Sequence, residues 1–419
     1  MRLCTDILLH IVELICKEDV GTLKALALTL PILREPCQEQ LFESIDLQLD
    51  IQGQDPSALP PTSLVQFHDI ITKTPRIALY VREVRITQHS IAPSAAFRYC
   101  SPEPITEIVD RLALINLISD VFDALSLNPI HTLSFVSWEA VRWTDLDQRV
   151  QRSLLGILKN PAFRKISLRG LHIPLHFFGE FTSLQSVNLY FPGFCLESSK
   201  PITLIHQISE LTYHVSSGLV GATHDRVGPN IGLDLSSLQY LELRMKSWQI
   251  PYLSHYFRLP KLRRLRVSTF PFFPGVHSIN FSGLPELTHL TLHNLSFSPQ
   301  FDEFEWMRNA FGSLTKGQLQ MIESVTIALT ATLDSIDDSA TLDLMTKLGR
   351  HLSLLHRSLE KVKSILVHVK ICSDDQDAVL LSRDRILRCL AWNGSEGVLE
   401  IKFEGTDERP RHWILQKIS

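Results

Sequence analysis

The sequence predicts an α/β protein: a three-helix module at the N-terminus, then an irregular repeat solenoid built on a parallel sheet. Three observations predict it. Apolar residues recur at helical spacing through the first forty-five positions, a six-residue apolar phrase recurs along the rest of the chain, and its middle copies lie 21 to 30 residues apart. A chain of 419 residues with 44% hydrophobic content can bury a core of that extent.

The helices come first. Thr5 and Asp6 are both competent N-caps, and a helix begun there places Ile7, Leu8, Ile11, Leu14 and Ile15 on one stripe broad enough to dock. Asp19 can cap a second helix in the same way, with Leu23, Leu26, Ala27 and Leu30 at the same spacing. Pro31 then forces a break before a third helix through Glu35 to Leu41.

The repeated phrase is an apolar residue, two variable ones, an apolar residue, one variable, and an apolar residue. It is clearest at Leu238-x-x-Leu241-x-Leu243, Leu262-x-x-Leu265-x-Val267 and Leu287-x-x-Leu290-x-Leu292. Earlier copies start at Ile130, Phe163, Leu184 and Ile208, and fainter ones at Phe42, Val81, Ile322 and Val362. Between the middle residues Ile166, Val187, Leu211, Leu241, Leu265 and Leu290 the steps are 21, 24, 30, 24 and 25. The outer steps stretch to 49, 35 and 40, so the array is irregular. Leu259-Pro260-Lys261 and Leu284-Pro285-Glu286 are expected to turn the chain into the strand that follows each.

Composition sorts the connections. Residues 52–63, rich in proline and serine, 87–104, with three prolines, and 216–236, with four glycines, are expected loops. Helical spacing at Ile108, Leu112, Ile115 and Val121-Phe122 predicts a helix over 105–127, and a second amphipathic helix is expected over 340–359. The domain plan is therefore a helical module over 1–45, a solenoid over 46–405 and a tail over 406–419. The opening phrase Phe42-x-x-Ile45-x-Leu47 also predicts that the third helix runs directly into the first strand, leaving only the first two helices free to bind.

The N-terminal residues resemble the F-box found at the start of many fungal F-box proteins with leucine-rich repeats. The matching elements are Leu3-x-Thr5-Asp6-Ile7-Leu8 with Ile11 and Leu14, then Asp19-Val20 with Leu23 and Leu26, then Arg34 and Leu41-Phe42-x-x-Ile45. Cys4 stands where that family has proline, and the tryptophan of its third helix is absent. The resemblance implies that Leu3, Ile7, Leu8, Ile11, Val20, Leu23 and Leu26 dock on the Skp-type linker of a cullin-RING ubiquitin ligase complex. It implies equally that the solenoid presents an unidentified protein substrate. The alternative is a repeat scaffold without a ligase, whose N-terminal helices only cap the array.

In a leucine-rich repeat the variable residues around the strand leucines face the concave surface. That rule selects Lys165, Ser167 and Arg169, then Ser186, Asn188 and Tyr190, then Glu210, Thr212 and His214. It continues with Tyr240, Glu242 and Arg244, then Arg264, Arg266 and Ser268, then His289, Thr291 and His293. Such a face is polar, of mixed charge, and carries Tyr and Arg, common interface anchors. The departure from the family is that Leu171, Pro192, Lys246, Phe270 and Leu295 stand where an asparagine or cysteine usually closes each turn.

Other functions have little support. A net charge of −4 and a pI near 6.5 give no general attraction to nucleic acid or acidic membranes. The basic cluster Lys261, Arg263, Arg264 and Arg266 lacks the neighbouring basic strands and stacking aromatics that phosphate tracking needs. No phosphate-binding loop, Gly-x-Gly-x-x-Gly turn or Gly-x-Ser-x-Gly elbow is present. Pro174 separates His172 from His176, His351 and His356 diverge by about 140° on a helix, and Asp374, Asp375 and Asp377 lack the glycine turn of a calcium loop. The chain therefore reads as a non-enzymatic protein with no catalytic residue, cofactor or metal. Seven cysteines without a Cys-x-x-Cys pair suggest reduced thiols, and Asp6, His10 and Glu13 interrupt any signal-peptide core. No apolar run is long enough to span a membrane, and the cytoplasm or nucleus is the expected location.

Overall fold

The computed structural model describes residues 5–15, 19–48, 63–88, 105–174, 176–190, 193–195, 206–214, 233–246, 258–270, 280–296, 311–332, 364–372 and 399–404, with a few positions between 343 and 386. The fold is α/β with a mostly parallel sheet. The chain forms two compact units, Met1–His206 with Gly228–Leu233, and Gln207–Val227 with Asp234–Ser419.

The first unit opens with α1 (Thr5–Leu14), α2 (Val20–Thr29) and α3 (Arg34–Phe42), with a 3-10 turn over Pro31–Leu33 before α3. Asp19 caps α2 as expected, its carboxylate accepting the Thr22 N–H at 3.0 Å. The expected stripe of α1 divides, however. Val12 is buried and Leu8, Leu9 and Ile15 pack partly beside it, whereas Ile7, Ile11 and Leu14 face outward. One helix cannot turn a stripe of that width toward a core of three short helices, so half of it remains at the surface.

The strands follow: β1 (Ser44–Gln48), β2 (Glu83–Gln88), β3 (Thr132–Arg142), β4 (Lys165–Pro174), β5 (Ser186–Tyr190) and β6 (Gly193–Cys195). β1 to β5 pair in sequence order, all parallel, and β6 pairs with the far end of β4. Gly170, with φ of 71°, lies between the two pairing segments of β4; only glycine adopts that conformation without strain. The division expected after residue 45 falls inside β1, because α3 runs almost directly into that strand. Three further helices pack in this unit: α4 (Ser63–Lys73), α5 (Ile105–Ser126) and α6 (Gln148–Leu158). α5 buries Ile118, Val121, Phe122 and Leu125, but Leu112 of the expected stripe is exposed.

The second unit holds β7 (Glu210–His214), β8 (Tyr240–Lys246), β9 (Arg264–Phe270), β10 (His289–Ser296), β11 (Ser324–Thr332), β12 (Ser364–Cys372) and β13 (Leu399–Glu404), again parallel and in sequence order. The apolar phrase aligns in register. Leu211, Leu241, Leu265, Leu290, Val325 and Ile365 form one buried column, and Tyr213, Leu243, Val267, Leu292, Ile327 and Val367 form the next. Parallel strands whose side chains alternate every second residue stack like with like when the register is zero.

A backbone device holds that register. In the first unit the carbonyl just before each strand accepts two N–H groups from the entry of the next: Glu43 from Arg82 and Glu83, Arg82 from His131 and Thr132, His131 from Arg164 and Lys165, Arg164 from Gln185 and Ser186. In the second unit Ser209, Gln239, Arg263 and Thr288 do the same for Tyr240, Arg264, His289 and Ser324 and the residue before each. The expected lead-ins are four-residue turns closed by N–H to carbonyl bonds, Leu238 to Leu235 at 3.1 Å, Leu262 to Leu259 at 3.2 Å and Leu287 to Leu284 at 3.3 Å. Pro260 and Pro285 occupy the second position of their turns, where a fixed φ suits them. Both ends of each turn are buried, so the turn inserts two apolar side chains into the core.

Several expected boundaries move. Thr87 and Gln88 belong to β2, Ser63 begins α4, and Leu233–Asp234 is a short strand, so the loops foreseen at 87–104, 52–63 and 216–236 are shorter at those ends. The rest of those segments, most of the helix expected over 340–359 and the tail over 406–419 lie outside the described residues.

Candidate interaction surfaces

The N-terminal helices close on a small core of Val12, Leu23, Ala27, Leu33 and Cys37, with Leu8, Leu9, Ile15, Leu26 and Leu41 packed partly against it. Gln40 of α3 ties the far end to α1, its Nε2 donating to the Val12 carbonyl at 2.8 Å. On its other side α3 is fastened to the 3-10 helix Pro75–Tyr80: Arg76 donates to Glu35 at 2.7 Å and the Tyr80 hydroxyl donates to the same carboxylate oxygen at 3.1 Å.

That arrangement sorts the seven expected docking residues. Ile7, at 51% exposure, Ile11, at 40%, and Val20, at 41%, are open to solvent. Leu23 is fully buried, and this corrects its assignment as an anchor: its side chain fills the module's own core. Leu8 and Leu26 are half-buried against that core and serve packing first. Leu3 lies outside the described residues. Leu14, Leu28 and Ile32, not among the seven, are exposed as well, at 70%, 80% and 52%. On α1 the open residues Ile7, Ile11 and Leu14 recur at four and three, which puts them on one line along the helix.

The second surface is the polar face of the sheet in the second unit. Register brings the expected residues into rows: Glu210, Tyr240, Arg264 and His289 in the first, Thr212, Glu242, Arg266 and Thr291 in the second, His214, Arg244, Ser268 and His293 in the third. Glu242 organises the centre. The Tyr240 hydroxyl donates to one of its oxygens at 2.8 Å, and the other lies 3.7 Å from both His214 Nε2 and Arg266 Nε. The neighbouring His214 ring holds the Glu242 carboxyl below the usual carboxylate range against the opposing effect of burial, with the Tyr240 hydrogen bond and the Arg266 charge adding to it. The Tyr240 phenol is pushed up to about 12 by burial and by its bond to that carboxylate.

His214 differs from expectation in being buried, as do Thr212 and Ser268, so the third row is closed along part of its length. Arg264 is exposed, and Tyr240, Glu242, Arg244, Arg266, His289 and His293 are half-buried. Glu210 is exposed at the margin. The Thr288 hydroxyl lies 2.8 Å from His289 Nδ1.

In the first unit Lys165 is exposed and Arg169, Asn188 and Tyr190 are half-buried, on neighbouring strands β4 and β5. The same face includes Asp46, which accepts a hydrogen bond from Thr87 at 2.9 Å and lies 3.9 Å from Arg85. Sequence reasoning missed these three, although the phrase containing Ile45 and that containing Val84 predict their rows; both strands belong to the faint copies.

No protein-family model and no curated protein matches this chain. Its function is therefore argued from these two surfaces. Among the described residues no group of three or more His, Cys, Asp and Glu side chains is placed to hold a metal ion, and no helix is long and apolar enough to cross a membrane.

The Glu242 cluster has a measurable signature. A carboxyl whose folded pKa lies below its unfolded value of about 4.3 contributes stability that is fully present above that pH and is lost as pH falls through the folded value. Glu242→Gln is expected to cost about 1–3 kcal/mol at neutral pH, because Arg266 loses the negative charge it faces. Melting temperatures of the two proteins should converge as the pH falls below about 4. A gap independent of pH would mean that the carboxylate carries no linked charge.

Proposed function

We propose that this chain is a substrate-recognition adaptor of a cullin-RING ubiquitin ligase, in which the N-terminal helices bind a Skp-type linker and a leucine-rich-repeat-like solenoid presents a protein substrate. The observation that carries the reading is the line of Ile7, Ile11 and Leu14 left open on a module whose own core is already filled. Exposed apolar side chains in a row mark a surface made for a partner. Val20 at the start of α2 and Leu28 near its end extend the open apolar surface. The resemblance of the same residues to an F-box supplies the kind of partner.

The substrate half rests on the polar sheet face. Parallel rows of Tyr, Arg, Glu and His on a rigid sheet suit recognition of another protein, and the roles of these residues need no cofactor. Ubiquitin transfer would belong to other subunits.

One observation favours the scaffold reading for part of the module. α3 is bonded to the 3-10 helix that precedes β2 through Glu35, Arg76 and Tyr80, as a cap on the array would be. In the adaptor reading α3 is that cap, and α1 and α2 are the binding half. The test is co-expression of the intact chain with a fungal Skp-type linker followed by affinity purification and gel filtration. A stable one-to-one complex supports the adaptor; a chain that elutes alone, folded and free of the linker, leaves the scaffold.

A further inference from the structure

We propose that the polar face of the second unit captures an acidic peptide segment, one of whose carboxylates pairs with Arg264. The inference rests on the reading that this face takes the substrate, and it names the substrate's chemistry.

Charge distribution carries it. Glu242 is committed inside the face: one oxygen accepts from Tyr240 at 2.8 Å, and the other lies 3.7 Å from Arg266 and from His214. Its carboxylate is therefore held toward Arg266, its partner in the same row. Arg264, two residues before Arg266 on β9, is exposed, and among the described residues it forms no ion pair. Register sets Tyr240 on one side of it and His289 on the other. Glu210, the remaining carboxylate of that row, lies beyond Tyr240, two strands away and so about 10 Å distant. At that separation the attraction is largely screened. The turn that leads into β9 adds Lys261 and Arg263, both exposed and offset in part by Glu286, 3.5 Å from Arg263, and by Asp234, which feels the Lys261 charge. The Arg264 end of the face thus carries an excess of positive charge in a protein whose net charge is −4.

The ligand's charge follows from the same cluster. Within these rows β8 and β9 set Arg244, Arg264 and Arg266 against Glu242 alone, so the complement is a negatively charged segment. Arginine presents two parallel N–H groups that match a carboxylate's two oxygens, so the contact has geometric as well as electrostatic selectivity. The open rows of the sheet suit an extended polypeptide rather than an enclosed small molecule.

The test uses the intact chain and a short fluorescent peptide in which glutamate alternates with serine, read by anisotropy. A companion peptide replaces glutamate by lysine. The glutamate peptide should bind, more weakly as salt is raised, and Arg264→Glu should weaken it about tenfold or more, while Arg264→Lys weakens it less. Circular dichroism checks that both variants fold. The proposal is overturned if the glutamate peptide fails to bind, if the lysine peptide binds as well, or if Arg264→Glu has no effect. Linker association measured on the same preparations separates the two readings: its loss with peptide binding intact refutes the adaptor alone, and the reverse refutes the acidic-peptide site alone.

Discussion

Leu241→Ala is expected to destabilise the second unit by about 2–5 kcal/mol. Leu241 is fully buried and lies in a column with Leu211 on one side and Leu265 on the other. The surrounding backbone is poorly placed to close the gap, because the carbonyls of Ser209 and Gln239 each hold two N–H groups of the adjoining strand entry. Lost transfer energy and a residual cavity then add. In urea the midpoint should fall by about 1 M or more. The comparison is Thr291→Ala, on the opposite side of the same sheet and half-buried, which should stay within about 0.5 kcal/mol. Equal effects from the two would contradict the assignment of the apolar column to the core.

The second large effect falls on the N-terminal helices and separates packing from binding. Ile7→Asp combined with Ile11→Asp should leave the unfolding curve unchanged, since both side chains are open to solvent. It should nevertheless abolish linker association. Two apolar side chains contribute about 1.5–3 kcal/mol each when buried in an interface, so losing both weakens binding about a hundredfold or more. Leu23→Ala is the contrast. It removes a fully buried side chain from the module's core, so it should lower stability by about 2–5 kcal/mol and weaken the linker only through loss of the fold. Retention of the linker by the double aspartate variant, measured by co-purification, removes α1 from the binding surface.

Much of the fold was legible because its signal is local. The phrase Leu238-x-x-Leu241-x-Leu243 and its copies state which residues alternate inward, and parallel pairing with zero register follows when each copy stacks on the next. The cap at Asp19 and the break at Pro31 were readable for the same reason, since each acts within one turn of its own residue. The helices α4 and α6 went unread although their signal is local too: Asp147 caps α6, whose buried Val150, Leu154, Ile157 and Leu158 recur at helical spacing, as Leu64, Phe67 and Ile71 do in α4. The absence of asparagine after the strands was read correctly as a departure, but its replacement was not foreseen. Asn160 donates to the Asn128 carbonyl at 2.7 Å and accepts from the Ala162 N–H at 2.9 Å, so before β4 an asparagine closes the turn that leads into the strand.

The candidate site was legible as a set of residues and not as a network. Listing Tyr240, Glu242, Arg264 and Arg266 required only the alternation of side chains along a strand. That Glu242 would be shared by Tyr240, His214 and Arg266, with Arg264 left open, depends on distances across three strands. Those distances follow from side-chain rotamers and strand twist, which no spacing along one chain encodes.

By itself the sequence determined the α/β class, the columns of apolar residues and the helical character of the first forty-odd positions, because periodicity and capping are properties of neighbouring residues. Tertiary structure alone decided which side of α1 turns inward. Ile7 and Val12 are equally apolar, and only the packing of α2 and α3 against one side of that helix buries Val12 and leaves Ile7 in water.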